Sequence, residues 1–88
     1  MKSILFYWSK GSGMRVKILN VIDKCSKGKQ PCFLNQIAKK LGVSHVAIKK
    51  HVDLLLEEGY INELNPGGKP VYLELSESGK SVLAEFRK

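Results

Sequence analysis

Acidic residues are nearly missing from the first 52 positions of this 88-residue chain, which hold Asp23 alone against eleven lysines and arginines. Threonine is absent, and lysine outnumbers arginine thirteen to two. Those biases point to genome composition, of the kind seen in thermophiles, and define no site. Cysteine is scarce: Cys25 and Cys32 stand seven apart, without CxxC spacing and with no second pair to complete a zinc site. A disulfide across that short loop is geometrically possible, but two ordinary thiols are expected in a reducing cytoplasm. Long apolar runs are missing too. The longest covers residues 4–8, well short of the roughly 18 to 20 residues of a membrane span and too short for a signal peptide. A soluble, cytoplasmic protein with no membrane partner is expected. No nucleophile-base pair, glycine-rich phosphate loop or carboxylate cluster is present, so neither an enzyme nor a cofactor or metal centre is expected.

What is present is a chain long enough for a single domain over residues 1–88 with one modest core. Its charge is lopsided: residues 1–52 balance to +10, whereas residues 53–88 hold four basic and seven acidic side chains and balance to −3. A basic half favours a polyanion, nucleic acid first; an anionic membrane or an acidic protein would also answer, and a solvated lysine surface is the lesser reading.

Residues 1–12 read as an N-terminal extension, apolar MKSILFYW running into polar SKGSG. From Met14 the apolar spacing turns helical through Ile18, Leu19, Val21 and Ile22, with Arg15, Lys17, Asp23 and Lys24 mostly off the stripe. Ser12 suits the N-cap, and the loop chemistry of SKGKQP ends that helix near Cys25. After a brief extended PCFL, Asn35 offers a cap to a short helix, and Gly42 closes it. Ser44 then caps a longer helix that runs from His45 to about Glu58 and stops at Gly59. The short spacer LGVS forces a sharp turn between the two helices, which is the helix-turn-helix arrangement, placed over residues 36–58. YINEL and VYLEL alternate apolar with other residues around NPGGKP, so a β-hairpin is expected over residues 60–75. Ser76 caps a last helix over residues 77–87, carrying Val82, Leu83 and Phe86. The fold class is therefore mainly α with a β-hairpin wing: a winged helix-turn-helix of three core helices plus a C-terminal one.

On a helix advancing about 100° per residue, Ile48, Val52 and Leu55 share one arc, and Val46, Lys49, Lys50 and Asp53 share the opposite one. Leu54 and Leu56 lie off the core stripe and suit packing beneath the hairpin, the terminal segments or a second subunit. The major groove of B-form DNA admits an α-helix, and a basic, partly apolar outer face suits that groove. His45, Val46, Ala47, Lys49 and Lys50 are then nearest the bases. Lysine donates to guanine O6 or N7, and Val46 or Ala47 meets a thymine methyl. Ser44 and the free N–H groups of the first turn suit a phosphate.

FLNQIAKKLGVSHVAIKKHVDLLLEEGYI resembles the DNA-binding core of the winged-helix transcriptional regulators, the group that includes the MarR and ArsR families. VYLELSESGKSVLAEF is similar to their second wing strand and following helix, and KGSGMRVKIL to their first helix. The likeness covers roughly residues 9–86. It implies phosphate contacts from Asn35, Lys39, Lys40 and Ser44, base reading from residues 44–50, and a wing tip at residues 65–70 where Lys69 touches phosphate or enters the minor groove. The wing is short and carries no arginine, against minor-groove reading. Metal sensing occurs among ArsR-like proteins, but Cys25, Cys32, His45 and His51 share no helix face, and His51 lies towards the core.

The implied function is sequence-specific binding of double-stranded DNA by a transcription regulator. A homodimer would form through residues 4–8 (Ile4, Leu5, Phe6, Tyr7, Trp8) with the first and last helices, unless those residues cap the monomer's own core. The alternative is a winged-helix module for protein-protein or non-specific nucleic-acid binding in a larger assembly.

Overall fold

The computed structural model describes residues 12–28 and 30–86. Apart from Ser12, the expected N-terminal extension, including residues 4–8, lies outside the described residues. Seven elements follow: α1 (Ser12–Lys27), β1 (Cys32–Phe33), α2 (Leu34–Leu41), α3 (His45–Glu57), β2 (Ile61–Glu63), β3 (Tyr72–Leu75) and α4 (Glu77–Phe86). This is the winged helix-turn-helix order.

The core forms where each apolar stripe turns inward. Ile18, Leu19 and Ile22 from α1, Ile37 from α2 and Ile48 and Leu55 from α3 are fully buried, with Ile61, Leu73 and Leu75 closing the sheet side and Val82 and Leu83 the α4 side. A side chain of this size contributes about 1.5–3 kcal/mol on burial, so six to eight of them supply most of what holds so small a domain. Met14 and Val21, at the edges of the α1 stripe, are only partly covered. Leu54 and Leu56 are half-buried, and Leu56 packs against the core.

The wing is more than a hairpin. β2 and β3 pair antiparallel in the register Ile61 to Leu75 and Glu63 to Leu73, and β1 adds to the other edge of β3, giving the sheet order β1-β3-β2. Cys32 pairs with Leu73, and Phe33 with Tyr72, whose rings meet edge to face at 5.8 Å. Two residues of PCFL are too few for periodicity to reveal a strand.

Several boundaries differ from the sequence reading. α1 includes Ser12 and continues to Lys27, two residues past Cys25. α2 opens at Leu34 with Phe33 as its N-cap, so Asn35 lies inside the helix. Gln36 takes over the capping role: its side-chain oxygen accepts from the Phe33 backbone N–H at 3.3 Å, the half of a capping box that a phenylalanine at the cap position still permits. α3 ends at Glu57, with Glu58 as C-cap. Arg15, read as off the apolar stripe, is buried; Ile18, Leu19 and Ile22 follow it at i+3, i+4 and i+7 and so share its face.

Candidate nucleic-acid interface

The helix-turn-helix is built by two local devices. Gly42 takes the left-handed conformation (φ 67°, ψ 34°), and its backbone N–H and that of Val43 return to α2 carbonyls, a glycine termination that stops α2 without orphaning its last acceptors. Ser44 then starts α3: its Oγ accepts from the Ala47 backbone N–H at 3.1 Å. An N-cap serine uses one acceptor site in this way and keeps its hydroxyl proton to donate outward.

On α3 the two faces separate cleanly. Ile48, Val52 and Leu55 are buried, whereas His45, Val46, Ala47, Lys49, Lys50 and Asp53 are exposed. Val46, at 66% exposure, is the most open of the large apolar side chains among the described residues. Lys49 is held: its Nζ donates to Asp53 Oδ2 at 2.9 Å, one helical turn on. α3 has no acidic residue in its first turn, so nothing there opposes an anion at its positive end.

Lys39 and Lys40 are exposed in the last turn of α2, where they also complement the negative end of the helix dipole. They adjoin the turn that leads to Ser44. Asn35, exposed near the start of α2, stands at the opposite end of that helix. Lys69 is exposed on the wing loop, which Asn65 ties shut: its Nδ2 donates to the Pro70 carbonyl at 3.0 Å and its Oδ1 accepts from the Tyr72 N–H at 2.7 Å. All the candidate residues but Lys69 thus sit on one helix-turn-helix unit.

Between α3 and the wing lies a hollow of about 200 Å³ with Leu56, Val71 and Leu73 among its apolar walls and Lys49, Asp53 and Glu63 along it. Sequence reasoning passed over this feature, as it did the roles of Gln36 and Asn65. The i,i+4 spacing of Lys49 and Asp53 was the one visible signal.

The two cysteines are free thiols, Cys32 buried and Cys25 partly exposed. Burial, followed by its neighbour Cys25, pushes the Cys32 thiol up to about 12. Among the described residues no group of three or more His, Cys, Asp or Glu side chains is placed to hold a metal ion, and no helix is long and apolar enough to cross a membrane.

No protein-family model and no curated protein matches the chain. Solved structures do. MarR from Listeria monocytogenes is similar at 22% identity and a TM-score of 0.72, over 84% of this chain and 48% of that one. A mutant MarR from E. coli, complexed with operator DNA, is similar at 22% identity and a TM-score of 0.69, over 84% of this chain and 51% of that one. A putative DNA-binding protein from Ralstonia eutropha is similar at 18% identity and a TM-score of 0.70, over 86% of this chain and 96% of that one. The fold is therefore that of the MarR-like winged helix-turn-helix proteins. The chain spans about half the length of the MarR structures it matches.

Proposed function

We propose that this chain is a DNA-binding transcription regulator that reads double-stranded DNA in the major groove with the first half of α3. The observation that carries the reading is the exposed face of α3: Val46, Lys49 and Lys50 project from a serine-capped helix start whose opposite side is buried in the core. Helix-turn-helix proteins present base-reading side chains from this part of their second helix. Lys39, Lys40 and the Ser44 hydroxyl supply phosphate contacts that orient the helix, with Asn35 at the outer limit of the footprint, and Lys69 adds a wing contact to the backbone. His45 and Ala47 complete the base-proximal set. The E. coli structure complexed with operator DNA shares this fold and supports the reading by analogy.

The working form in this reading is a cytoplasmic homodimer without catalytic activity. A dimer through α1 and α4 would cover the groove of about 240 Å³ lined by Val16, Leu83 and Phe86, the last 40% exposed. A two-fold dimer would place two copies of α3 on successive major grooves.

The test is selection of duplexes from a randomised pool by the purified protein. Enriched half-sites about one helical turn, roughly 34–36 Å, apart are expected. Enrichment of nothing, with binding that fades equally with salt on every duplex, would instead mark a protein-docking or architectural module.

A further inference from the structure

We infer that Asp53 determines the DNA specificity of α3, by holding Lys49 as a base reader; this rests on the proposed DNA-binding role of that helix. The geometry is an ion pair inside the recognition face. Lys49 Nζ lies 2.9 Å from Asp53 Oδ2, and both side chains are 58% exposed on the same outer arc as Val46 and Lys50. As an exposed i,i+4 pair it adds only about 0.3–0.5 kcal/mol to a helix, so its effect on helix stability is small. A carboxylate on this face also repels every phosphate, so it weakens binding to all duplexes alike.

What the pair changes is the behaviour of the lysine. A lysine ammonium is a compact charge on a flexible stem that seeks the nearest phosphate. One bond to Asp53 biases the lysine towards this face and leaves two of its three protons to donate to whatever fills the groove. Guanine, with acceptors at O6 and N7, can take both. Asp53 retains a second carboxylate oxygen, Oδ1, able to accept from a cytosine amino group. Asp53 thereby lowers affinity in general and raises it selectively where a guanine stands opposite Lys49.

The test compares wild type with Asp53→Asn, Asp53→Glu, Lys49→Ala and the Lys49→Ala/Asp53→Asn pair, each checked for folding by its thermal melt. Fluorescence anisotropy is read on the wild-type selected duplex and on a scrambled one over a salt series. Asp53→Asn is expected to bind the scrambled duplex more tightly, with a salt slope steeper by about one phosphate contact. Its selected-to-scrambled ratio should fall by about tenfold, the size of one lost bidentate base contact. Asp53→Glu should restore most of the ratio, and Asp53→Asn should leave the ratio unchanged once Lys49 is alanine. If Asp53→Asn tightens both duplexes equally and leaves the ratio intact, Asp53 is a repulsive surface charge and the inference fails. If wild type itself shows no preference, the DNA reading fails with it, a result visible before any variant is made.

Discussion

Arg15 of α1 and His51 of α3 are joined across the helix interface: the guanidinium Nε donates to the imidazole Nδ1 at 3.3 Å. The bond fixes His51 as a neutral imidazole with its proton on Nε2, because a protonated Nδ1 has no lone pair to accept with. His51 belongs to the helix that carries Lys49 and Lys50, so this contact ties the orientation of the candidate reading face to α1.

That bond makes stability depend on pH in a definite direction. Burial first, and the Arg15 charge second, hold His51 below the ordinary imidazole value of 6.5. A base with a depressed folded-state pKa binds fewer protons folded than unfolded, so stability rises with pH. The contribution is complete above about 6.5 and is lost as pH falls through 6.5 to the lowered folded value. Urea melts at pH 7.5 and pH 5.0 should show wild type losing more stability on acidification than His51→Asn, whose amide oxygen accepts from Arg15 without titrating. Equal losses would contradict the assignment.

Ser44→Ala removes the oxygen that accepts from Ala47 N–H. The expected cost is about 1 kcal/mol, read as a lower urea midpoint with unchanged slope. Affinity for every duplex should fall along with it, since the same residue supplies a phosphate donor in the proposed complex.

Gly79→Ala tests the packing of α4 on the chain that follows α3. A Cβ at Gly79 would run into the Tyr60 carbonyl oxygen, which already accepts the Ser76 N–H at 3.1 Å. Backbone cannot swing aside as a side-chain tip can, so a loss of about 1–3 kcal/mol is expected. A neutral outcome would mean that α4 can shift outward as a body.

The thiols should react unequally. Cys32 is buried and its thiol is raised to about 12, so a thiol reagent at pH 7.5 should label Cys25 first and reach Cys32 only on unfolding, since the thiolate is the reactive form. Mass mapping of the labelled protein checks this; equal labelling of both under native conditions would contradict the burial of Cys32.

Much of this was legible because the local rules agree with one another. Gly42, Ser44 and Gly59 marked the helix-turn-helix and its end, and the alternation of YINEL and VYLEL marked β2 and β3. Ser76 was readable as a cap, and its Oγ accepts the Gly79 N–H at 3.1 Å. The same hydroxyl donates to the Gly59 carbonyl at 2.6 Å, a contact 17 residues away that no local signal announces. Arg15 was read off the stripe although its i+3, i+4 and i+7 neighbours are Ile18, Leu19 and Ile22; what makes a buried guanidinium tolerable there is a partner on α3, His51, that no local pattern shows. Asn35 misled because a capping residue type does not fix its position when Gln36 can serve the Phe33 N–H instead. On α3, periodicity sorted inside from outside correctly, but it could not reveal that Lys49 is bonded to Asp53, since that depends on which rotamers the two side chains adopt.

The most direct test of the account is anisotropy of wild type and Lys49→Ala/Lys50→Ala on the selected duplex and a scrambled one, at two salt concentrations. The double variant is expected to fold normally, to keep salt-dependent binding through Lys39, Lys40 and Lys69, and to lose the preference for the selected duplex by at least about tenfold. A double variant that keeps its full preference would contradict the claim that α3 reads the DNA.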